Sequence, residues 1–409
     1  MKTVINITTH DVIIIGAGPA GAHTALGLAE QGFDVLVIDY RTNLGDKLCT
    51  GIISTQCLEE FPPSKDMILN APTSATITTS SGKNYSFKSR TPQGIVIDRV
   101  AYVSNFSTKA KIAGAIYKLG ERVTTIERNE NETVVKTATS EYKSKVVVIA
   151  SGFRTSLLTQ VGIENTNEYM IGSQAKVELN AINDVRVYLN SKISPGFFSW
   201  ITPTENNNGL VGVLSKGSSK NDLRTLISHL ENKKLIHPFN GRIQTWGIPL
   251  KPLEQTTADR VMIIGDAAGQ VKPITGGGIY YSLLCSQIAV KVLSSCLKLN
   301  KFSYNDLSEY DNQWKLKIAK EINSSYYIRK FVEKLPNAVQ TQLVKTAKAN
   351  SLIEELIQKH SLFDKHSRLF GSVLGHPSVS WLWPTPDKST EENTHHNVQQ
   401  EIFETEIFK

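Results

Sequence analysis

An α/β fold with more than one lobe is what this chain predicts, on three observations. An apolar run, Asp11-Val-Ile-Ile-Ile-Gly16, stops at a glycine and opens into a helix-spaced stretch over residues 17–31. A second apolar run over 33–39 follows at the spacing of a parallel βαβ unit, and the same buried-strand type returns at 145–150 and 260–265. At 409 residues the chain is longer than a single core usually fills.

The remaining elements follow in order. Residues 73–88 alternate polar and apolar around Ser80-Ser-Gly-Lys83, the pattern of a hairpin. Residues 99–119 have helical spacing, and 123–126 with 133–138 read as another hairpin. From 171 to 247 the pattern is mostly short strands, with one helix over 221–232; a long apolar helix follows at 278–297. Beyond Phe302 the chain turns helical and basic, with amphipathic stretches at 315–334 and 343–360. Ser378-Val-Ser-Trp-Leu-Trp-Pro384 is unusually aromatic, as a membrane-interface anchor or a docking strand would be. Residues 387–409 are polar and read as a loose tail. The expected organisation is a discontinuous nucleotide-binding domain (1–72, 95–165 and 249–300), a β-sheet substrate domain (73–94 and 166–248), a C-terminal helical region (301–386) and the tail.

Composition narrows the classes. With 40% hydrophobic and 20% charged residues the chain matches ordinary globular proteins. No apolar run reaches the roughly 18 residues that span a bilayer, and residues 1–10 lack the pattern of a secretory signal. The formal charge of +7 fits scattered solvated lysines, an anionic membrane surface or an acidic electron-transfer protein; no nucleic-acid-binding motif is present. Cys49, Cys57, Cys285 and Cys296 form no CxxC pair and no zinc or iron–sulfur spacing, so no metal is expected. Reduced thiols in a cytoplasmic setting are the default.

Three separated segments carry chemistry. In Gly16-Ala-Gly18-Pro-Ala-Gly21, Gly16 permits the tight turn, Gly18 lets a pyrophosphate approach the backbone, and Gly21 lets helix and strand pack closely. The helix N-terminus supplies N–H groups to the phosphates, and Asp39, at the end of the second strand, can accept ribose hydroxyls. In Gly265-Asp266-Ala-Ala-Gly269, followed by Pro273 and Thr275-Gly276-Gly277-Gly278-Ile279, a strand delivers Asp266 toward a ribityl hydroxyl. The glycine run opens a helix whose N–H groups could face the pyrimidine edge of a flavin, where the reduced ring carries negative charge. The middle segment is Ile97-Asp98-Arg99 with the strand ending at Ser151-Gly152; Arg99 could reach the cofactor or form a surface pair with Asp98.

Taken in order, these motifs resemble the p-hydroxybenzoate-hydroxylase-type flavoproteins over roughly residues 10–300, and within them the geranylgeranyl reductase family, which saturates isoprenoid double bonds. Gly45-Asp-Lys-Leu-Cys49-Thr-Gly51-Ile is similar to that family's cysteine-and-glycine loop, and Ser194-Pro-Gly-Phe-Phe-Ser-Trp200-Ile-Thr-Pro203 to its aromatic lipid-cavity segment. The chain departs from the family at Thr50, where a second glycine is common, at Thr202, where Phe is usual, and at Gly277, where Glu is common. The residues expected to contact FAD are Gly16, Gly18, Pro19, Ala20, Gly21, Asp39, Tyr40, Arg41, Leu48, Cys49, Gly51, Arg99, Val123, Gly152, Gly265, Asp266, Gly276, Gly277, Gly278 and Ile279. Phe198, Trp200, Pro273 and Tyr280 are expected to line the substrate cavity, with Phe197 and Tyr281 beside them.

The resemblance implies a reaction. Saturating an unactivated alkene takes a hydride from reduced flavin and a proton for the other carbon, in a dry pocket. Cys49 is the candidate donor, since an ordinary thiol keeps its proton at neutral pH; as a bare residue it could equally be a small buried side chain. The link from Cys49 to Cys57 leaves room for a redox pair. No second GxGxxG lies between Ser151 and Asp259, so the electrons must come from transiently bound NAD(P)H or from a protein such as reduced ferredoxin. The expected substrate is a geranylgeranyl lipid, polyprenyl quinone or prenylated pigment, taken from a membrane that the basic helices could touch. The alternatives are a flavin monooxygenase or halogenase on an aromatic or polyketide-like substrate, and a flavoprotein electron carrier to quinone.

Overall fold

A computed structural model describes residues 9–44, 49–190, 192–194, 197–351, 353–354 and 363–382, with 380–382 described by backbone alone. Leu48, the 387–409 tail and parts of the 45–52, 194–203 and 343–360 segments therefore lie outside the described residues. The fold is mixed α/β, and the chain divides into two compact units.

The first unit comprises Met1–Lys47, Asp98–Tyr169 and Gly247–Ile322. Its eight-stranded sheet has Thr9–Ile15 at the centre, parallel to Glu141–Ile149 on one side and Val35–Asp39 on the other. Val12, Ile13 and Ile14 have no exposure, and Val35 to Ile38 almost none. Burial on both faces is why these strands read as continuous apolar runs rather than as alternation. The Pro19–Ala29 helix covers the central strand and packs against the Arg99–Ile112 and Ile279–Leu299 helices.

Two sequence readings change here. The helix expected over 99–119 stops at Ile112, because Gly114 takes φ +105°; Ile116–Leu119 then pairs as a strand with Leu36 to Asp39. The Ile279–Leu299 helix is long and apolar enough to cross a membrane by length and composition, although no such run was evident along the sequence. Fourteen of its side chains, Ile279 and Leu283 among them, are buried, so it serves as a core helix.

The second unit comprises Leu48–Ile97, Met170–Trp246 and Asn323–Lys409. The division differs from the boundaries read along the sequence: 48–72 joins the sheet unit and 301–322 the nucleotide-binding unit. The latter assignment has a clear cause. Asp311, buried on the Tyr304–Trp314 helix, accepts bonds from Thr256 N, Thr256 Oγ1 and Thr257 Oγ1, tying that helix to the strand before Arg260.

The seven-stranded sheet of the second unit runs Gln244–Pro249, Tyr169–Glu178, Asn208–Ser215, Ser199–Pro203, Val185–Tyr188, Ser74–Thr78, Asn84–Lys88. The hairpin expected around Ser80 is its edge. One face is the core: Ala175, Val177, Val211, Val213 and Ile201 pack under Leu223, Leu226, Ile227 and Leu230 of the Ser219–Asn232 helix. The opposite face carries Gln174, Gly212, Leu210, Phe198, Trp200 and Thr202. The Asn337–Ala349 helix meets the sheet edge, with Lys348 over the Phe87 ring. Pro377–Leu382 is a short 3-10 turn, not the docking strand that its aromatic content allowed.

Candidate active site

The Gly16 turn is closed by backbone. Gly16 has φ +108°, and a Cβ there would stand 2.3 Å from Ala150 O; one on Gly21 would stand 1.9 Å from Gly16 O. Gly16 is therefore restricted to glycine by contact as well as by conformation, and Gly21 by contact. Around Gly18, by contrast, nothing lies within 4 Å of where a Cβ would be. The Pro19–Ala29 helix starts with Gly18 as N-cap, Pro19 at its first position, and no side chain bonded to the cap. Its first N–H groups are thus left without a side-chain cap, beside the open flank of Gly18, as the binding of a pyrophosphate at a helix start requires. Ser151, beside Gly16, has a buried hydroxyl with no partner among the described residues, and Gly152 (φ +83°) has open space around it. The cradle suits a dinucleotide.

Asp39 is buried and fixed at the edge of this turn. Its Oδ2 accepts Ala17 N–H at 2.7 Å and its Oδ1 accepts Arg41 N–H at 2.8 Å. Each oxygen keeps a lone pair for a ribose hydroxyl. The segment entering the next strand runs alongside, with Gly120 N–H donating to Arg41 O and Glu121 N–H to Asp39 O. This brings Val123, half-buried against the core, toward the nucleotide end. Tyr40 is 43% exposed, and its ring lies 4.4 Å from the Arg41 guanidinium and 4.3 Å from that of Arg122, a residue the sequence reading did not single out.

The third segment meets the first. A Cβ on Gly265 would stand 3.0 Å from the Ala20 Cβ, and one on Gly278 3.0 Å from Asp266 Oδ1. Asp266 thus lies over the uncapped N-terminus of the Ile279–Leu299 helix, with Gly276 at φ +71° leading in. Behind this loop Gly265 N–H donates to Gln270 Oε1, and Gln270 Nε2 to the Tyr310 hydroxyl. Burial drives the Tyr310 hydroxyl and the Cys285 thiol beneath it well above their ordinary values, so both stay neutral. Pro273 is buried, and Tyr280 and Tyr281 are almost fully so, their rings 6.1 Å apart. Lys272, also buried, has its Nζ 5.6 Å from the Tyr281 ring and was missed in the sequence because nothing there marks a lysine as internal. Arg99 is buried as the first residue of its helix while Asp98 caps that helix by accepting Ala101 N–H, so the alternative of an Asp98–Arg99 surface pair does not hold.

Cys49 and Gly51 belong to the second unit, as do Phe198 and Trp200. Gly51 takes φ +73°, where a Cβ would be 2.4 Å from Ile97 O, and Gly51 N–H points at the Cys49 sulfur at 3.5 Å. Thr50 donates its hydroxyl to Gln174 Oε1 at 2.9 Å, tying the turn to the sheet face that carries Trp200. On that face two tryptophans lie over glycines. The Trp200 ring covers Gly212, and the Trp246 ring covers Gly172, with Cβ positions only 2.2 and 2.9 Å from ring carbons. Phe197, Phe198 and Trp200 form a run of tilted rings with centroids 4.7 and 5.7 Å apart. The buried Arg329 guanidinium, paired with Glu333, stacks 4.4 Å from Phe197. Trp246 and Arg329 could not be found from local pattern; only sheet pairing and helix packing bring them here. Cys57 is a buried free thiol and Cys49 a half-buried one, so no Cys49–Cys57 disulfide is present.

Known proteins resemble this chain in sequence and in fold. A family model of pyridine nucleotide-disulphide oxidoreductases matches residues 10–185. The digeranylgeranylglycerophospholipid reductase of Methanococcus aeolicus is 30% identical over 81% of this chain and 89% of its own length. The enzyme of the same name from Methanocaldococcus jannaschii is 29% identical over 80% and 87%. Among solved structures, a geranylgeranyl bacteriochlorophyll reductase-like protein of Thermoplasma acidophilum superposes with TM-score 0.79 at 21% identity, covering 91% of this chain and 98% of that one.

Proposed function

Because this chain belongs to the geranylgeranyl reductase family of FAD-dependent oxidoreductases, we propose that it saturates carbon–carbon double bonds of an isoprenoid chain. The observation that carries this reading is the Cys49–Gly51 turn, tied through Thr50 to an aromatic sheet face. A reduced FAD, when bound, supplies hydride to one alkene carbon. Cys49 holds the proton for the other carbon, with Gly51 N–H beside its sulfur to receive the thiolate that remains. Phe198, Trp200 and Trp246 supply flat apolar surface for an isoprene chain and exclude water from it. Asp39, Asp266 and the two glycine-rich turns hold the dinucleotide and the isoalloxazine. The matched relatives carry phospholipid names, which makes a geranylgeranyl lipid the first substrate to try.

Electrons reach the flavin from transient NAD(P)H or reduced ferredoxin, since the region between Ser151 and Asp259 builds an antiparallel sheet rather than a second nucleotide fold. With a net charge of +7, the protein works in the cytoplasm against an anionic membrane surface. Anaerobic incubation of dithionite-reduced protein with geranylgeranyl lipid, menaquinone or prenylated pigment should yield products heavier by two hydrogens in mass spectrometry. No mass gain in any of them would end the reductase reading. Cys49→Ala should keep FAD and lose turnover by about a hundredfold or more; unchanged turnover would remove Cys49 as the proton donor.

A further inference from the structure

Two arginines and a tyrosine gather where Asp39 would meet a ribose. Val35–Asp39 and Ile116–Leu119 are parallel and in register, Asp39 beside Leu119, so the residues after them leave the same carboxyl edge of the sheet. Backbone laces the two exits: Gly120 N–H donates to Arg41 O at 3.0 Å and Glu121 N–H to Asp39 O at 3.1 Å. The exposed Tyr40 ring then has the Arg41 and Arg122 guanidinium carbons 4.4 and 4.3 Å from its centre. Neither cation is held in a hydrogen-bonded pair. Glu121, the acid next to Arg122, accepts instead from the Tyr142 hydroxyl, 3.0 Å from both of its oxygens. Arg41 stands 3.8 Å from Asp39 Oδ1, too far for a hydrogen bond. Among the described residues the Arg122 guanidinium and the Tyr40 hydroxyl have no hydrogen bond and no ion pair. Two like charges fixed on one ring suit an anion that both can reach. FAD offers none here, because its phosphates belong at the Gly18 helix start and its ribose carries hydroxyls only.

We propose that Tyr40, Arg41 and Arg122 form a receptor for a ribose-bound phosphate, and that the nucleotide bringing it is NADPH, the reductant of the flavin. Two guanidiniums this close to one ring centre can share one phosphate through N–H···O bonds of about 2.8 Å, and the Tyr40 hydroxyl adds a further donor. In Rossmann-type sites an arginine near this position accommodates the extra phosphate that separates NADPH from NADH. Such a receptor rests on the flavin reading above and selects one of the two donors named there. NADPH gives a hydride to oxidised FAD and leaves as NADP+, and FAD takes the hydride together with one proton from water.

The test is equilibrium binding of NADP+ and NAD+, which differ only in that phosphate, to the oxidised, FAD-loaded protein. NADP+ should bind about tenfold more tightly, and Arg122→Gln should reduce that ratio severalfold while FAD content stays that of the wild type. Arg122→Lys, which keeps the charge and loses the fork, should fall between the two. In anaerobic mixing, NADPH should bleach the flavin at about tenfold lower concentration than NADH. A wild-type ratio near one, a ratio that Arg122→Gln leaves unchanged, or a flavin that NADPH fails to bleach overturns the proposal. Loss of FAD from Arg122→Gln also overturns it, since the arginine would then serve the resident adenosine. Dithionite bypasses the receptor, so the two readings fail separately: alkene reduction without NADPH selectivity sinks only the receptor, and selectivity without alkene reduction sinks only the reductase assignment.

Discussion

Around Gly16 the surface proposed to meet the ligand is main chain, whereas around Trp200 it is side chain. The cradle presents N–H groups at two uncapped helix starts, with glycines between, of which Gly16 and Gly21 leave no room for a Cβ. The sheet face presents indole rings, a phenyl ring and an amide, brought level by strand register. A backbone surface recognises what every dinucleotide has in common and tolerates almost no change. A side-chain surface can be rewritten with less effect on the fold, so under the proposed function it is where substrate identity would reside.

That contrast can be broken at its strongest point first. Gly21→Val should cost about 3 kcal/mol or more, because its Cβ would overlap Gly16 O at the central turn. Thermal melting and flavin absorbance should fall together. A colourless but fully stable variant would mean that the turn serves the ligand alone.

A second test addresses the packing beneath the cradle. His23, on the Pro19–Ala29 helix, is half-buried, with its Nδ1 2.7 Å from Ser286 Oγ and its ring edge-on to Phe106. Burial pushes its imidazole from 6.5 down to about 4. The folded state therefore refuses a proton that the unfolded chain accepts. Stability contributed by neutral His23 is fully present above pH 6.5, is lost as pH falls from 6.5 to about 4, and changes no further below that. The loss amounts to about 3 kcal/mol. Denaturant melts over this range should show it, and His23→Leu should flatten the dependence; an equally steep profile in the variant would place the acid sensitivity elsewhere.

The smallest effect belongs to the sheet face. Gly212→Ala puts a methyl 2.2 Å from the Trp200 ring and forces the indole off the sheet. Affinity for a geranylgeranyl probe should drop on the order of tenfold, while flavin content stays as in the wild type. Equal loss of flavin would show that the two surfaces are not separable.

The same contrast explains what could be read along the chain. The turn of Gly16, Gly18 and Gly21 and the places of Asp39 and Asp266 are legible in the sequence because each lies within a few residues of a strand end, and local pattern records local geometry. Ile116–Leu119 reads as helix along the chain because its parallel pairing with Leu36 to Asp39 spans some eighty positions and leaves no local mark. Trp246 passed unnoticed because only cross-strand pairing sets it over Gly172. Thr50 registered as a departure from the family pattern, but its role waited on Gln174, a partner 124 positions away.

The tryptophan-over-glycine pairs also constrain how this surface can evolve. Enlarging Gly212 alone evicts the indole, and shrinking Trp200 alone leaves a hollow above bare backbone, so each single change passes through a worse state. The two codons, like those of Gly172 and Trp246, are expected to be inherited as pairs. A mutant library meant to redirect this protein to longer or bulkier chains should randomise both members of a pair at once.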